Sequence, residues 1–246
     1  MSSIRRYNLT KAKLLHLLEK LKTNSIEVGS LYVPPKSSKA SIEGMMEKIL
    51  DMETTPEDLS DLIAESRTGG ILFWGPHHRY LVMPPFPVAE ESVSKTCEIE
   101  PLYLLMHHEF LLAMVIVRLG AYGIGVFQGE NLLSSKVGTG LVHSRHRQGG
   151  SSSQRFARHR EKQMETFFTQ VCQHTRGQLD PYARLLDHVI YGGTRKTILD
   201  FRKQCHFLRE FDTKTLDRLL NIREPKQSGL AEWIQEAWSS RVIQWT

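Results

Sequence analysis

The chain has 246 residues, 40% hydrophobic and 24% charged, with a net charge of +5 and a pI near 9.1. That composition excludes disordered and fibrous classes and leaves room for one large or two modest domains, each with its own core. The longest apolar run, Phe110 to Val117, is far too short to span a bilayer, and Met1 to Tyr7 carries no apolar signal-peptide core. The three cysteines, Cys97, Cys172 and Cys205, are scattered without CxxC spacing, so neither a disulfide framework nor a zinc site is expected. A soluble cytoplasmic protein, monomeric and without membrane contact, is the expectation.

Leu9 to Leu21 carries Leu14, Leu15, Leu17, Leu18 and Leu21 with lysines between them, the pattern of an amphipathic helix. Ser25 to Val33 alternates through Ile26, Val28, Leu31 and Val33 and ends at Pro34-Pro35-Lys36, which predicts a strand and its stop. Helices follow over Ile42 to Met52 and from Pro56 to Ser66. The runs Ile71 to Trp74 and Tyr80 to Met83 predict a hairpin about Gly75-Pro76-His77-His78. Pro84-Pro85-Phe86-Pro87 and the polar stretch to Lys95 read as a linker. The resulting division is residues 1–97 and 98–246.

In the second part, Ala113 to Leu119 and Tyr122 to Phe127 flank a glycine-containing turn and predict a buried hairpin. Glu130 to Val142 leads into a basic loop. From Ser152, Phe156, Met164, Phe167, Phe168, Val171 and Cys172 recur at helical spacing, predicting a helix of about six turns with Ser151 or Ser152 as N-cap and Gly177 as its end. Asp187 to Tyr191 reads as a strand, then the Gly192-Gly193 turn, a helix over Thr194 to Leu208, a short segment near Leu216 to Ile222, and a final helix over Leu230 to Ser239. The fold class is α/β: a small N-terminal α/β domain, then a mixed sheet flanked by helices with a projecting Gly-Gly loop.

The charge is concentrated at that loop. Between residues 136 and 160 lie Lys136, Arg145, Arg147, Arg155, Arg158 and Arg160, with His143, His146 and His159, and neither Asp nor Glu. A local surplus of this kind suits phosphate contact; a solvated basic face is the simpler reading. Eleven histidines raise the question of a metal, but no HExxH or CxxC spacing occurs and the arginines beside His143 and His146 would repel a cation. No metal or cofactor is therefore expected. Ser151 to Ser153 offer hydroxyls without a GxSxG turn or a nearby acid, and neither a P-loop nor a GxGxxG motif is present.

Gly149-Gly150 followed by a helix bearing Arg155-Phe156-Ala157-Arg158 resembles the GGQ loop and following helix of the archaeal and eukaryotic class-I peptide release factors. Pro34-Pro35-Lys36 after a strand, Phe127-Gln128-Gly129 and Val189-Ile190-Tyr191-Gly192-Gly193 are similar to further stretches of that family in the same order. Aligned on Arg-Phe-Ala-Arg, the family glutamine falls on Ser151, and the nearest downstream glutamine is Gln154; Gln148 precedes the glycines. A displaced glutamine looks like the Vms-like, or ankyrin-and-zinc-finger-type, peptidyl-tRNA hydrolases of ribosome quality control and their bacterial relatives. The N-terminal part is short and lacks a NIKS-like segment, so the resemblance implies release without codon reading.

The resemblance assigns roles. Gly149 and Gly150, lacking side chains, would enter a narrow RNA cavity; the Gln154 amide, or Ser151 in its place, would orient water at the peptidyl-tRNA ester. Arg145, Arg147, Arg155, Arg158 and Arg160 would hold rRNA or tRNA phosphates. The implied partners are large-subunit rRNA and peptidyl-tRNA. Two alternatives stay open: a non-catalytic ribosome or tRNA-binding rescue factor of Pelota-like type, and a serine hydrolase using Ser151 to Ser153.

Overall fold

A computed structural model describes residues 4–23, 28–50, 55–75, 79–142 and 153–246, with side chains in the last segment from Arg155 onward. The elements run β1 (Ile4–Leu9), α1 (Lys11–Thr23), β2 (Gly29–Val33), α2 (Lys39–Met46), α3 (Leu59–Ala64), β3 (Gly70–Trp74), β4 (Arg79–Met83), β5 (Ser92–Ser94), α4 (Glu100–His107), β6 (Leu111–Arg118), β7 (Ala121–Gln128), β8 (Asn131–Thr139), α5 (Ser153–Leu179), β9 (His188–Gly192), α6 (Arg195–Gln204), β10 (Thr215–Leu220), α7 (Leu230–Ala237) and β11 (Ser240–Trp245). They sort into two compact units: the chain up to His108 together with Ala237–Thr246, and Glu109–Glu236.

The first unit is built on a six-stranded sheet of order β1-β11-β4-β3-β2-β5, antiparallel at every pairing. The β3–β4 hairpin pairs Ile71 with Val82 and Trp74 with Arg79, in the runs the sequence marks for it. α1 buries Leu14, Leu18 and Leu21, the stripe its spacing predicts. Leu31, Val33, Ile42, Met46, Leu59, Ile63, Leu72, Leu81, Ile243 and Trp245 form one core.

Three features of this unit differ from expectation. β1 carries Arg5 and Arg6 with only partial burial, so its hydropathy gives no strand signal; pairing with β11 makes it one. Ser92 to Ser94, read as linker, hydrogen-bonds to β2 as the sheet's far edge, a role that asks little of side chains. The expected boundary at 97/98 precedes α4, which belongs to the first unit, and β11 returns to that unit from the far end of the chain.

The second unit holds a five-stranded mixed sheet of order β10-β9-β6-β7-β8. β10 and β6 run parallel to β9, while β6, β7 and β8 form an antiparallel meander. The parallel β6–β9 pair requires a crossover, and α5 lies within it. On one face Ala113, Val115, Val117, Tyr122, Ile124 and Val126 pack with Phe167, Phe168 and Val171 of α5 and Ile198 and Phe201 of α6. On the other, a Cβ at Gly123 would stand 2.1 Å from the Trp233 ring of α7, so the glycine is what lets the indole lie on the strand. This is the helix-flanked mixed sheet that the sequence implied.

Several local expectations fail here for physical reasons. β8 and β10 are strands whose exposed edges mix polar and apolar residues. Gly177 does not end α5, which runs on to Leu179; a side chain there would meet nothing within 4 Å, and an exposed glycine is tolerated inside a well-anchored helix. The absence of disulfides is also overturned: Cys172 of α5 and Cys205, the C-cap of α6, are bonded with their Cα atoms 5.4 Å apart. They lie 33 residues apart in sequence, and only the packing of α5 against α6 brings them together.

Candidate functional site

The end of β8 and the start of α5 frame the basic segment. Gly149, Gly150 and Ser151, with Arg145, Arg147 and Gln148, lie outside the described residues, as do the two serines proposed as N-cap. Gln154 falls in the first turn of α5, whose described backbone begins at Ser153.

α5 is anchored at its C-terminal half and free at its N-terminal half. Phe167, Phe168, Val171, Thr175 and Leu179 are buried, and rings bracket them: Tyr122 stands 6.2 Å from Phe167 and Phe201 stands 5.7 Å from Phe168. His174 stacks on Tyr122 at 5.5 Å and an interplanar angle of 12°, and burial pushes the Tyr122 phenol above its ordinary pKa. From Arg155 to Thr166 no side chain is buried. At 1.5 Å per residue that stretch is roughly 18 Å long.

Two glycines let the strand approach these rings. A Cβ at Gly138 would stand 2.4 Å from the Tyr122 hydroxyl, and one at Gly140 would stand 2.5 Å from the Phe167 ring. The Gly140 amide then donates to Gly120 at 3.0 Å, closing the strand end onto the β6–β7 turn. Gln204 of α6 holds the helix where it leaves the sheet: its amide donates to the Glu165 carbonyl and the Thr169 hydroxyl, both at 2.7 Å. With the Cys172–Cys205 bond, this fixes α5 at two levels. Neither Gln204 nor the two glycines stood out in the sequence, because their roles depend on contacts across elements.

The free half is cationic. Arg155 and Arg158 are exposed and Arg160 is partly so; Arg155, Arg158 and Lys162 fall three and four residues apart and share one face. Phe156, expected on the buried stripe, is instead 55% exposed, because α5 has already left the sheet at that point. An exposed aromatic among arginines suits contact with nucleic-acid bases as well as phosphates. Among the described residues no three His, Cys, Asp or Glu side chains gather as metal ligands, and no helix is long and apolar enough to cross a membrane.

Residues 111–243, spanning this sheet, α5 and β11, match the family model described as the Actinobacteria/chloroflexi VLRF1 release factor. The chain belongs to that release-factor family. It is also 24% identical over 250 residues to peptide chain release factor subunit 1 of Archaeoglobus fulgidus, covering 91% of this chain and 61% of that one. The same protein of Picrophilus torridus is 23% identical over 277 residues, covering 96% and 64%. The chain thus spans less than two thirds of the length of these curated relatives. Among solved structures, the archaeal translation termination factor aRF1 is similar with a TM-score of 0.43 and 19% identity, over 93% of this chain and 70% of that one.

Proposed function

We propose that this release-factor-family protein is a peptidyl-tRNA hydrolase that acts on large ribosomal subunits without reading a codon. The observation that carries the reading is the exposed cationic half of α5, with Arg155 and Arg158 on one face, continuing directly from a Gly-Gly segment in a chain of this family. The ester carbonyl of peptidyl-tRNA needs an oriented water and a stabilised oxyanion. The charge stabilisation would come from the ribosomal RNA; this chain would supply a backbone narrow at Gly149 and Gly150 and a neutral amide at Gln154. Arg145, Arg147, Arg155, Arg158 and Arg160 would position the loop on phosphates and carry no sequence information of their own.

Gln154→Ala is expected to abolish peptide release from peptidyl-tRNA on large subunits while subunit binding stays within a few-fold of wild type. Unchanged release would remove Gln154 from its role. Ser151, standing where the related loops carry glutamine, favours a second reading, a Pelota-like rescue factor without hydrolytic activity. That reading predicts subunit binding with no release by the wild-type chain. Hydrolysis of a generic ester by the free protein would instead point to the serines.

A further inference from the structure

Beside the free half of α5 lies a cavity that the release reading leaves without a task. Its volume is about 240 Å³, and Gly140 and Leu141 after β8 enclose it with His159, Lys162, Gln163, Thr166, Phe167 and Gln170 of α5. It is smaller than the roughly 300–1,000 Å³ pockets that engulf drug-sized ligands, which limits an occupant to about one ring system and its attachment. Its apolar surfaces are the Phe167 ring, only 2% exposed and so rigidly held, and the Leu141 side chain, 71% exposed at the rim.

The polar groups around these surfaces are of one kind. Gln163 and Gln170 carry amides, which can both donate and accept; His159 bonds Gln163 at 3.2 Å, and the Thr166 hydroxyl donates to the Lys162 carbonyl at 3.0 Å. No carboxylate lines the cavity, while the Lys162 ammonium forms no ion pair among the described residues and Arg158 lies one turn away on the same helix face. An imidazole and an aliphatic side chain beside a ring-sized space, amides to meet a heteroatom edge, and a lysine at the mouth complement an unpaired nucleobase with its phosphate outside. A peptide side chain would make no use of the cation, and a bare anion would make no use of the apolar walls.

We infer that this cavity receives a single unstacked nucleotide of the large-subunit rRNA, its base against Leu141 and His159 with Gln163 and Gln170 on its edge and its phosphate at Lys162. The inference rests on the ribosomal reading above, and it gives α5 a contact to a base in addition to its contacts to phosphates. Gly140 is part of the arrangement because a side chain there would displace the Phe167 ring.

The test uses the full chain and purified large ribosomal subunits, with and without tRNA. Thr166→Trp fills the cavity from an exposed helical position, and Gln170→Ala removes one amide with little risk to folding; circular dichroism checks both. Thr166→Trp is expected to weaken subunit binding roughly tenfold or more, the scale of one lost base contact. The dependence on salt should keep nearly the wild-type slope, since no phosphate contact is removed. Gln170→Ala should weaken binding several-fold. Chemical probing should find one rRNA nucleotide whose reactivity changes with wild type and reverts with Thr166→Trp, on vacant and tRNA-bearing subunits alike. A folded Thr166→Trp that binds as wild type with an unaltered probing pattern overturns the inference, as does a change confined to tRNA. Failure of the wild-type chain to bind subunits would instead bring down the ribosomal reading itself.

Discussion

The Cys172–Cys205 bond makes a quantitative prediction about the helix on which the proposed function depends. The two residues are separated by 33 positions, and closing a loop of that length restricts the unfolded chain by about 3.7 kcal/mol at room temperature in the chain-entropy account. α5 does not depend on the bond alone. Phe167, Phe168, Val171 and Leu179 are buried along it, and each such side chain contributes about 1.5–3 kcal/mol. Reduction should therefore leave the unit folded but less stable. In guanidinium chloride, monitored by circular dichroism, the oxidised chain should unfold at a midpoint roughly 1 M above the reduced one, for a denaturant slope of about 4 kcal/mol per M. Cys172→Ser should resemble the reduced protein and lose all sensitivity to reductant, whereas Cys97→Ser should keep it. Thiol titration of the denatured, air-purified chain should count one free thiol. Three free thiols, or a wild-type midpoint indifferent to reductant, would refute the argument.

The charge and packing arguments are tested separately. Arg155→Gln with Arg158→Gln should weaken subunit binding, and the slope of log affinity against log salt should become shallower by about 1.5 as two phosphate contacts are lost; measurement between low and physiological salt decides it, and an unchanged slope counts against the phosphate role. Gly123→Ala should destabilise the second unit by about 1–3 kcal/mol through overpacking, because its Cβ would meet the Trp233 ring. A Gly123→Ala, Trp233→Leu double variant should recover part of that loss in denaturant unfolding.

Where residues near in sequence carry the pattern, the sequence predicts the structure well. The leucine stripe of α1, the β3–β4 and β6–β7 hairpins and the start of β9 follow from local periodicity and turn residues, and the structure has them in place. β1, β5, β8 and β10 were illegible because an edge strand is defined by backbone pairing with a neighbour, and its side chains need not alternate. β11 was hidden for a related reason: its six residues after α7 pair with β1 and β4 from the opposite end of the chain. Phe156 misled because helical spacing says which residues share a face, not how far along the helix that face remains covered.

By itself the sequence determined the α/β class, the acid-free cationic stretch from Lys136 to Arg160 and the Gly-Gly segment that resembles a release loop, because composition and short motifs are properties of the chain. The tertiary structure decided where α5 leaves the sheet, that Gln204 and the Cys172–Cys205 bond hold it there, and that Gly140 and Phe167 floor a cavity beside it. Each of these joins residues that are distant in sequence, and contacts of that kind exist only once the elements have packed.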